Sequence, residues 1–320
     1  MKIGIPVLIL LALAPFAASS FQVLLLTEIL IFALFAMSLD VQIGYGRMFS
    51  FGHVLPYGIG AYVTALALIA GWPLPIAILA AFVCTTVLSV PIGWLCTRAS
   101  GVAFSMLTLA FAQLGYAIAF KADAVTGGSD GLTGFTRVAG PWGIDFFASR
   151  DGFYWLVLAI VIGLFFLTRG FLKSPMGTAI VATRENERRA GAIGYNPRNL
   201  KVVTFVVSNS LAGVAGALHS GLLLFISPEI MHWMLSGHVI IAVILGGSGT
   251  LVGPMVGAAL IVLAQHQLSA VTDSWSLVMG IFFIFVVVAA PKGIWGIRSS
   301  LINRRVNYKA SRIGEKNVAS

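Results

Sequence analysis

A chain of 320 residues that is 58% hydrophobic and 10% charged lies outside the composition of soluble domains, about 25% of whose residues are charged. With a mean hydropathy of +0.96 it reads as an all-α polytopic membrane protein, which excludes a secreted disulfide scaffold, a nucleic-acid-binding domain and a large soluble enzyme. The surplus of 20 Lys and Arg over 11 Asp and Glu is then first a statement about topology, because cytoplasmic loops collect basic residues.

In chain order, apolar runs occupy about 3–19, 21–39, 54–71, 74–96, 101–120, 153–169, 202–224, 235–249, 251–270 and 275–295. A spanning helix needs about 20 such residues, so ten spans are expected. The first run also fits a cleaved signal peptide: Lys2, an apolar stretch from Ile3 to Leu13, then the small residues Ala17, Ala18 and Ser19. Either reading leaves the parity of later segments unchanged. Cys84 and Cys96 share one apolar run and read as small packing residues. The eighth run is short and glycine-ended, so a tilted, broken or re-entrant piece is expected there.

Charge orients the runs. Segment 170–201 carries Lys173, Arg184, Arg188, Arg189, Arg198 and Lys201 against Glu185 and Glu187, and the tail carries seven basic residues from Lys292 to Lys316 against Glu315. Both are expected inside, and the four runs between them satisfy that parity. Segment 121–152 has three basic residues and four acids and belongs outside. Both termini are then cytoplasmic. The chain divides into a first half (1–120), an external loop (121–152), a cytoplasmic loop (170–201) and a basic tail (297–320), all within one transmembrane domain, 1–320.

Five spans per half force the halves into opposite orientations, the geometry of two inverted five-helix repeats. A faint echo supports it: Gly44-Tyr45-Gly46-Arg47, Gly52, Gly58 and Gly60-Ala61 against Gly247-Ser248-Gly249-Thr250, Gly253 and Gly257-Ala258. Glycines this dense between apolar runs read as chain breaks or close helix approaches, tolerated in a bilayer only under a cover of protein or water. For any single glycine, helix packing explains as much, as in Gly253-Pro254-Met255-Val256-Gly257. The cluster from Gly44 to Gly60 also holds Ser50, Phe51 and His53 and is the candidate broken segment.

Glu28 is an acid inside an apolar run, either facing a cavity or snorkelling to the interface. His53, His219, His238 and His266 lie on different runs without metal-ligand spacing. Hydrogen-bonded packing is expected for each, with His53 set apart by its glycine-broken surroundings. Gln113 with Thr108, and Ser208 with Asn209, either bond helices together or line a path. In the external loop, Thr126, Gly127, Gly128 and Asp130 mix turn formers with acid, suited to pairing with bases on a docking partner or to capping the external mouth. Residues 174–201, SPMGTAIVATRENERRAGAIGYNPRNLK, predict one or two short amphipathic helices broken at Gly191 and Gly194. Ala179, Ile180, Ala182, Ala190 and Ile193 accompany mixed charge at Arg184, Glu185, Glu187, Arg188 and Arg189. Such a segment suits anionic lipid or a groove on a soluble partner.

The stretch from Gly177 through Arg184-Glu185-Asn186-Glu187 to Gly194 and Lys201, with Phe205 and Ala212-Gly213-Val214-Ala215-Gly216-Ala217-Leu218, resembles the permease subunits of branched-chain amino-acid ABC importers, LivM type. The likeness extends to Gly44-Tyr45-Gly46, Ser50-Phe51-Gly52-His53, Gly58-Ile59-Gly60-Ala61-Tyr62, Thr108-Leu109-Ala110-Phe111-Ala112-Gln113, Thr126 to Leu132 and Gly246 to Pro254. It covers roughly 25–295. The resemblance implies that Ala182, Arg184, Glu185, Asn186, Glu187, Arg188, Arg189 and Gly194 couple to an ATPase. The polar and glycine-rich positions read above, Glu28, Gly44, Gly46, Ser50, Phe51, Gly52, His53, Thr108 and Gln113, are the candidate translocation path, and with the resemblance the loop at Thr126, Gly127, Gly128 and Asp130 is expected to meet a periplasmic binding protein. A second, LivH-like permease and two cytoplasmic ATPase subunits complete the implied assembly in the bacterial inner membrane. The implied cargo is a small hydrophobic amino acid, with urea, amides and small organic acids as the wider family's alternatives. The residue at Gln113 varies in the family and does not decide the substrate.

The chain has no G-x-x-x-x-G-K-[ST] phosphate loop and no H-E-x-x-H or G-x-S-x-G arrangement. No enzyme activity and no bound cofactor are therefore expected, and ATP and Mg belong on partner subunits. An independent ion-coupled carrier is the competing reading, and a membrane scaffold without transport a more distant one. A carrier needs ion-coupling groups at midplane, and apart from Glu28 the apolar runs hold hardly any acids.

Overall fold

The computed structural model describes residues 19–137 and 149–269, with isolated positions 11, 15, 277, 278, 280, 281 and 293. Among these the chain is helical, with one isolated bridge between Leu132 and Ile226 and no strand. The helices are α1 (Ser20–Asp40), α2 (Val54–Ile69), α3 (Leu74–Cys96), α4 (Val102–Lys121), α5 (Arg150–Lys173), α6 (Pro175–Glu185), α7 (Glu187–Ala192), α8 (Pro197–Leu223), α9 (Trp233–Gly246) and α10 (Val252–Ser269). The second to ninth apolar runs fall on α1–α5 and α8–α10. The first run, most of the tenth, residues 138–148 of the external loop and the tail lie outside the described residues.

Among the described residues six helices are long and apolar enough to cross a bilayer: α1 with its continuation to Tyr45, α3, α4, α5, α8 and α10. Helices α2 and α9, of 16 and 14 residues, reach only ~24 and ~21 Å at 1.5 Å per residue, less than the ~30 Å hydrocarbon core. Each follows an excursion of the chain. After α1 the backbone winds through a π-helical turn, Val41–Tyr45, then doubles back so that His53 sits beside Ser38 and Phe35. After α8 the segment 224–232 inserts Met231 against Gly58 of α2 and near Gly115 of α4. The two short helices start next to each other in the interior, where the Val54 N–H donates to Ser236 Oγ at 3.2 Å.

Polar punctuation sets the helix ends. Ser19 and Gln22 form a reciprocal cap on α1. Ser174 with Pro175, and Asn196 with Pro197, start α6 and α8, the proline occupying a position whose N–H would have no helical partner. In the 174–201 segment the break falls at Asn186, which caps α7 by accepting from the Arg189 N–H at 3.0 Å. The sequence reading had placed it at Gly191, which lies within α7. Gly194, at φ +96°, does terminate this segment. An asparagine side chain supplies a cap that a helical glycine lacks.

Helix directions follow from contact pairs. Along α3 and α8, Thr86 meets Ser210 and Trp94 meets Arg198. Along α1 and α10, Asp40 meets Leu251 and Glu28 meets His266. Both pairs run antiparallel. One end of the bundle therefore holds the 174–201 segment and the 247–251 turn. The other holds 121–137 and 224–232, joined through the Leu132–Ile226 bridge. Helix α8 is the most enclosed of the long helices, and α4 and α5 are the least. Exposed Val83, Val87, Met106, Leu114, Ile118, Phe166 and Leu167 give α3, α4 and α5 an apolar outer face suited to lipid.

The small residues of α8 permit backbone contact. A Cβ at Gly216 would overlap the Tyr57 carbonyl, and one at Gly60 the Gly213 carbonyl. Gly216→Val should therefore destabilise the protein by on the order of 1–3 kcal/mol, read as a lower melting temperature in detergent. Gly163→Val, with open space around its Cβ position, should leave it unchanged.

Candidate functional site

At the end that carries the 174–201 segment, the two glycine-rich stretches meet. Asp40, at the end of α1, is fully buried. Its Oδ1 accepts from the Gly249 N–H at 2.6 Å and its Oδ2 from the Leu251 N–H at 3.0 Å. Gly44 lies under the same loop, and a Cβ there would overlap both the Gly249 nitrogen and the Asp40 carboxylate. The loop is left-handed at Gly247 (φ +104°), Gly249 (φ +80°) and Leu251 (φ +57°), and Arg47 opposite has φ +54°. Backbone of this kind persists only where surrounding contacts hold it. Here a carboxylate does so, because oxygen acceptors answer the N–H groups that the turn leaves without helical partners.

Arg184 reaches this junction from α6, its Nη1 donating to the Gly44 carbonyl at 2.7 Å. Helix α6 is fixed by a small apolar cluster of Ala179, Ile180 and Leu200 with Phe171. The rest of the predicted coupling set divides. Glu185, Asn186, Glu187, Arg188 and Arg189 are exposed at the α6–α7 tip, Ala182 is half-buried and Gly194 is exposed. Of these, Glu187 pairs with Lys201 at the start of α8. Ile193 is 67% exposed, while Ala190 is buried.

Above the junction a buried polar chain ties α1 to α8 and to the 46–53 excursion. Gln42 Nε2 donates to Ser208 Oγ (3.0 Å) and Asn209 Oδ1 (2.9 Å). Ser208 Oγ donates to the Ser38 carbonyl (2.5 Å), and Ser38 Oγ bonds His53 Nε2 (2.8 Å). His53 is fully buried and stacks on Phe35 at 5.3 Å between ring centroids. It is thus walled into the interior, a hydrogen-bonded packing histidine.

The remaining predicted path residues are spread out. Gly46 packs against Thr204 and the Gln42 carbonyl, and Gly52 against the Thr108 backbone. Ser50 and Thr108 are buried, Phe51 is exposed and Gln113 is half-buried on α4. Glu28 lies toward the opposite end, with Oε2 2.9 Å from His266 Nε2. There too Thr126 Oγ1 donates to the Ala119 carbonyl at 2.6 Å, and Gly127, Gly128 and Gly131 take positive φ beneath exposed Asp130. These residues form a fixed turn that presents Asp130 outward. Among the described residues no group of three or more His, Cys, Asp or Glu is arranged to hold a metal.

Sequence reasoning missed Asp40 and Gln42. Asp40 directly follows the apolar run 21–39, where an acid reads as a boundary. The available signal was its place four residues before Gly44, one helical turn, which sets its carboxylate over the glycine break.

Removing the Asp40 carboxylate strands two backbone donors, at roughly 1–3 kcal/mol each. Asp40→Ala should therefore lower thermal stability and expose the 247–251 turn to limited proteolysis. Asp40→Asn, which keeps one acceptor, should fall between it and the wild type.

The family model described as the permease component of branched-chain amino acid transport systems matches residues 22–287. The LivM permease protein of the high-affinity branched-chain amino acid transport system of Escherichia coli K12 is 29% identical, covering 92% of this chain and 74% of its own length. The LivH permease protein of the same organism is 28% identical over 83% of this chain and 91% of its own length. The BraD permease protein of Pseudomonas aeruginosa is 28% identical with the same coverage. No solved structure matches the chain. The match over 22–287, with an apolar helical bundle whose outer faces suit lipid, leads to one statement of kinship: the chain belongs to the family of permease components of branched-chain amino acid transport systems.

Proposed function

We propose that this chain is the membrane-spanning permease subunit of an ATP-driven importer that moves a small hydrophobic, branched-chain amino acid across the bacterial inner membrane. It pairs with a LivH-like permease and two cytoplasmic ATPase subunits, and a periplasmic binding protein delivers its cargo. The chain crosses the bilayer ten times as two inverted halves, with both termini in the cytoplasm. Placement of 121–137 and 174–201 at opposite ends of the bundle supports this orientation, as does the parallel between α1–α2 and α8–α9, each a long helix followed by an excursion and a short helix.

The observation that carries the reading is the two-sidedness of α6–α7. A helix lying on lipid turns its apolar face outward. Here Ala179, Ile180 and Ala190 face the bundle, and the outward surface is the charged tip Glu185–Arg189 with Ile193. Charge of both signs around an exposed apolar residue suits a groove on a soluble protein. On the inner side, Arg184 touches the carbonyl of Gly44, where the two glycine-rich stretches meet. ATP-driven movement of the docked tip therefore shifts Arg184 against Gly44 and loosens or tightens the Asp40–Gly249 contact, so that the halves rock around a central path. Chemistry stays on the ATPase subunits, and this chain supplies position and force.

Two experiments test this. In the reconstituted complex, reversing the tip charges with Glu185→Lys, Arg188→Glu and Arg189→Glu should abolish ATP-driven uptake, and cargo-loaded binding protein should no longer stimulate ATPase turnover. Arg184→Gln should keep the ATPase subunits bound while slowing uptake. Unchanged uptake with the tip reversed would sink the docking assignment, and gradient-driven uptake by this chain alone would favour the ion-coupled carrier. For orientation, single cysteines replacing Asp130 or Arg188, in a chain with Cys84→Ser and Cys96→Ala, should react with an impermeant maleimide from the periplasmic side and the cytoplasmic side respectively.

A further inference from the structure

Between α1, the outer end of α8, the start of α9 and the outer end of α10 lies a cavity of about 290 Å³. This is at the small end of the ~300–1,000 Å³ range of ligand pockets, a size for a small metabolite and too little for a peptide or a lipid tail. Its wall is graded by depth. Glu28 on α1 and Gln265 on α10 stand nearest the end of the bundle opposite the 174–201 segment. One helical turn further in on the same two helices come Ile31 and Val262, joined by Leu235 from α9. A polar rim thus sits over a floor whose aliphatic part is Ile31, Leu235 and Val262, beside the rings of Tyr57 and His219.

The rim has a sign. Glu28 is a carboxylate inside an apolar run, a costly placement that favours a counter-cation. His266 engages one of its oxygens at 2.9 Å, and neither Lys nor Arg is among the described residues of the lining. A ligand carrying an ammonium group completes the charge balance at Glu28. Urea or an amide brings no positive charge to meet it, and the anion of an organic acid is repelled by it. The Gln265 amide and the Ser227 hydroxyl offer donors to a carboxylate on the same ligand. We propose that this cavity is a binding subsite for the zwitterion of a small aliphatic amino acid, its ammonium on Glu28, its carboxylate toward Gln265 and Ser227, and its side chain against Ile31, Leu235 and Val262.

The assignment rests on the importer reading for the side of the membrane that the rim faces and for the presence of amino acid there. It adds a place in the permease itself where the cargo is read after delivery. His266 on α10 already engages Glu28 on α1, so ligand arrival at Glu28 competes with the histidine that ties these helices together.

The test uses the full complex of this chain, its partner permease and the ATPase subunits, in lipid nanodiscs without binding protein. Radiolabelled leucine is the probe, with isopentylamine, 4-methylpentanoate and urea as competitors. Leucine should bind, isopentylamine should compete, and 4-methylpentanoate and urea should not. Glu28→Gln should weaken binding by about tenfold or more, the loss of one charge-assisted contact, and Glu28→Asp should recover part of it. Val262→Phe, which fills the floor and leaves the rim intact, should exclude leucine while admitting alanine. Wild-type leucine affinity in both Glu28→Gln and Val262→Phe, with amino-acid uptake intact, would overturn the subsite and leave the importer reading standing. Uptake of urea or an organic acid, with no amino acid bound or carried, would overturn both.

Discussion

The Asp40 carboxylate, gripping the Gly249 and Leu251 N–H groups, is the contact on which the end of the bundle that carries the 174–201 segment depends. Backbone without helical partners is ruinous in a bilayer unless protein covers it, and here two such stretches cover one another. The Gly247–Leu251 turn fits only because Gly44 has no side chain, and Gly44 is held under the turn by the helix that ends in Asp40. Arg184 completes the arrangement from the third direction, donating to the carbonyl of that same glycine. Each partner makes the others' strained geometry tenable, so the assembly has the character of a joint with few intermediate positions. A joint of that kind suits a protein whose proposed work is to alternate between two states.

Away from the joint the architecture is set by two helices too short to span the hydrocarbon core. Helices α2 and α9 begin side by side, at the Val54–Ser236 hydrogen bond. The chain reaches α2 by doubling back from the end of α1, and α9 by folding 224–232 inward from the other end. Most of the polar groups this costs are matched internally, although among the described residues Gln42 Oε1 and His53 Nδ1 have no hydrogen-bond partner. Ser38, Gln42, His53, Ser208 and Asn209 form a chain of hydrogen bonds between α1, α8 and the 46–53 excursion. In a low-dielectric interior such a network is stiffest when every member is answered, and the two open atoms on Gln42 and His53 leave this one short of that.

Much of this was legible in residues. The apolar runs located eight helices, and the shortness of the eighth run announced the half-helix α9. The glycine cluster from Gly44 marked a real chain break. Its echo at Gly247 proved to be a contact partner, while the stretch whose placement parallels 46–53 is 224–232, which carries no glycine signal. Hydropathy did not find Asp40, because an acid at the edge of an apolar run looks like the start of a loop. Nor could it tell Arg184, which turns inward, from Arg188 and Arg189, which turn outward. All three belong to one charged cluster in the sequence, and only the helix phase across the Asn186 break separates them. Of the residues expected to line one path, Glu28 lies toward one end of α1, His53 packs against the other half of that helix, and Gln113 lies on α4. A single sequence carries no signal for that separation.

The stacking of His53 on Phe35, and of Phe35 against Tyr57, places three buried aromatic rings between the Glu28 cavity and the Asp40 joint. A membrane that stores energy as an ion gradient tolerates no continuous thread of water through a carrier. The buried rings of Phe35, His53 and Tyr57 stand in the way of such a thread, at the point where the chamber beside Glu28 ends.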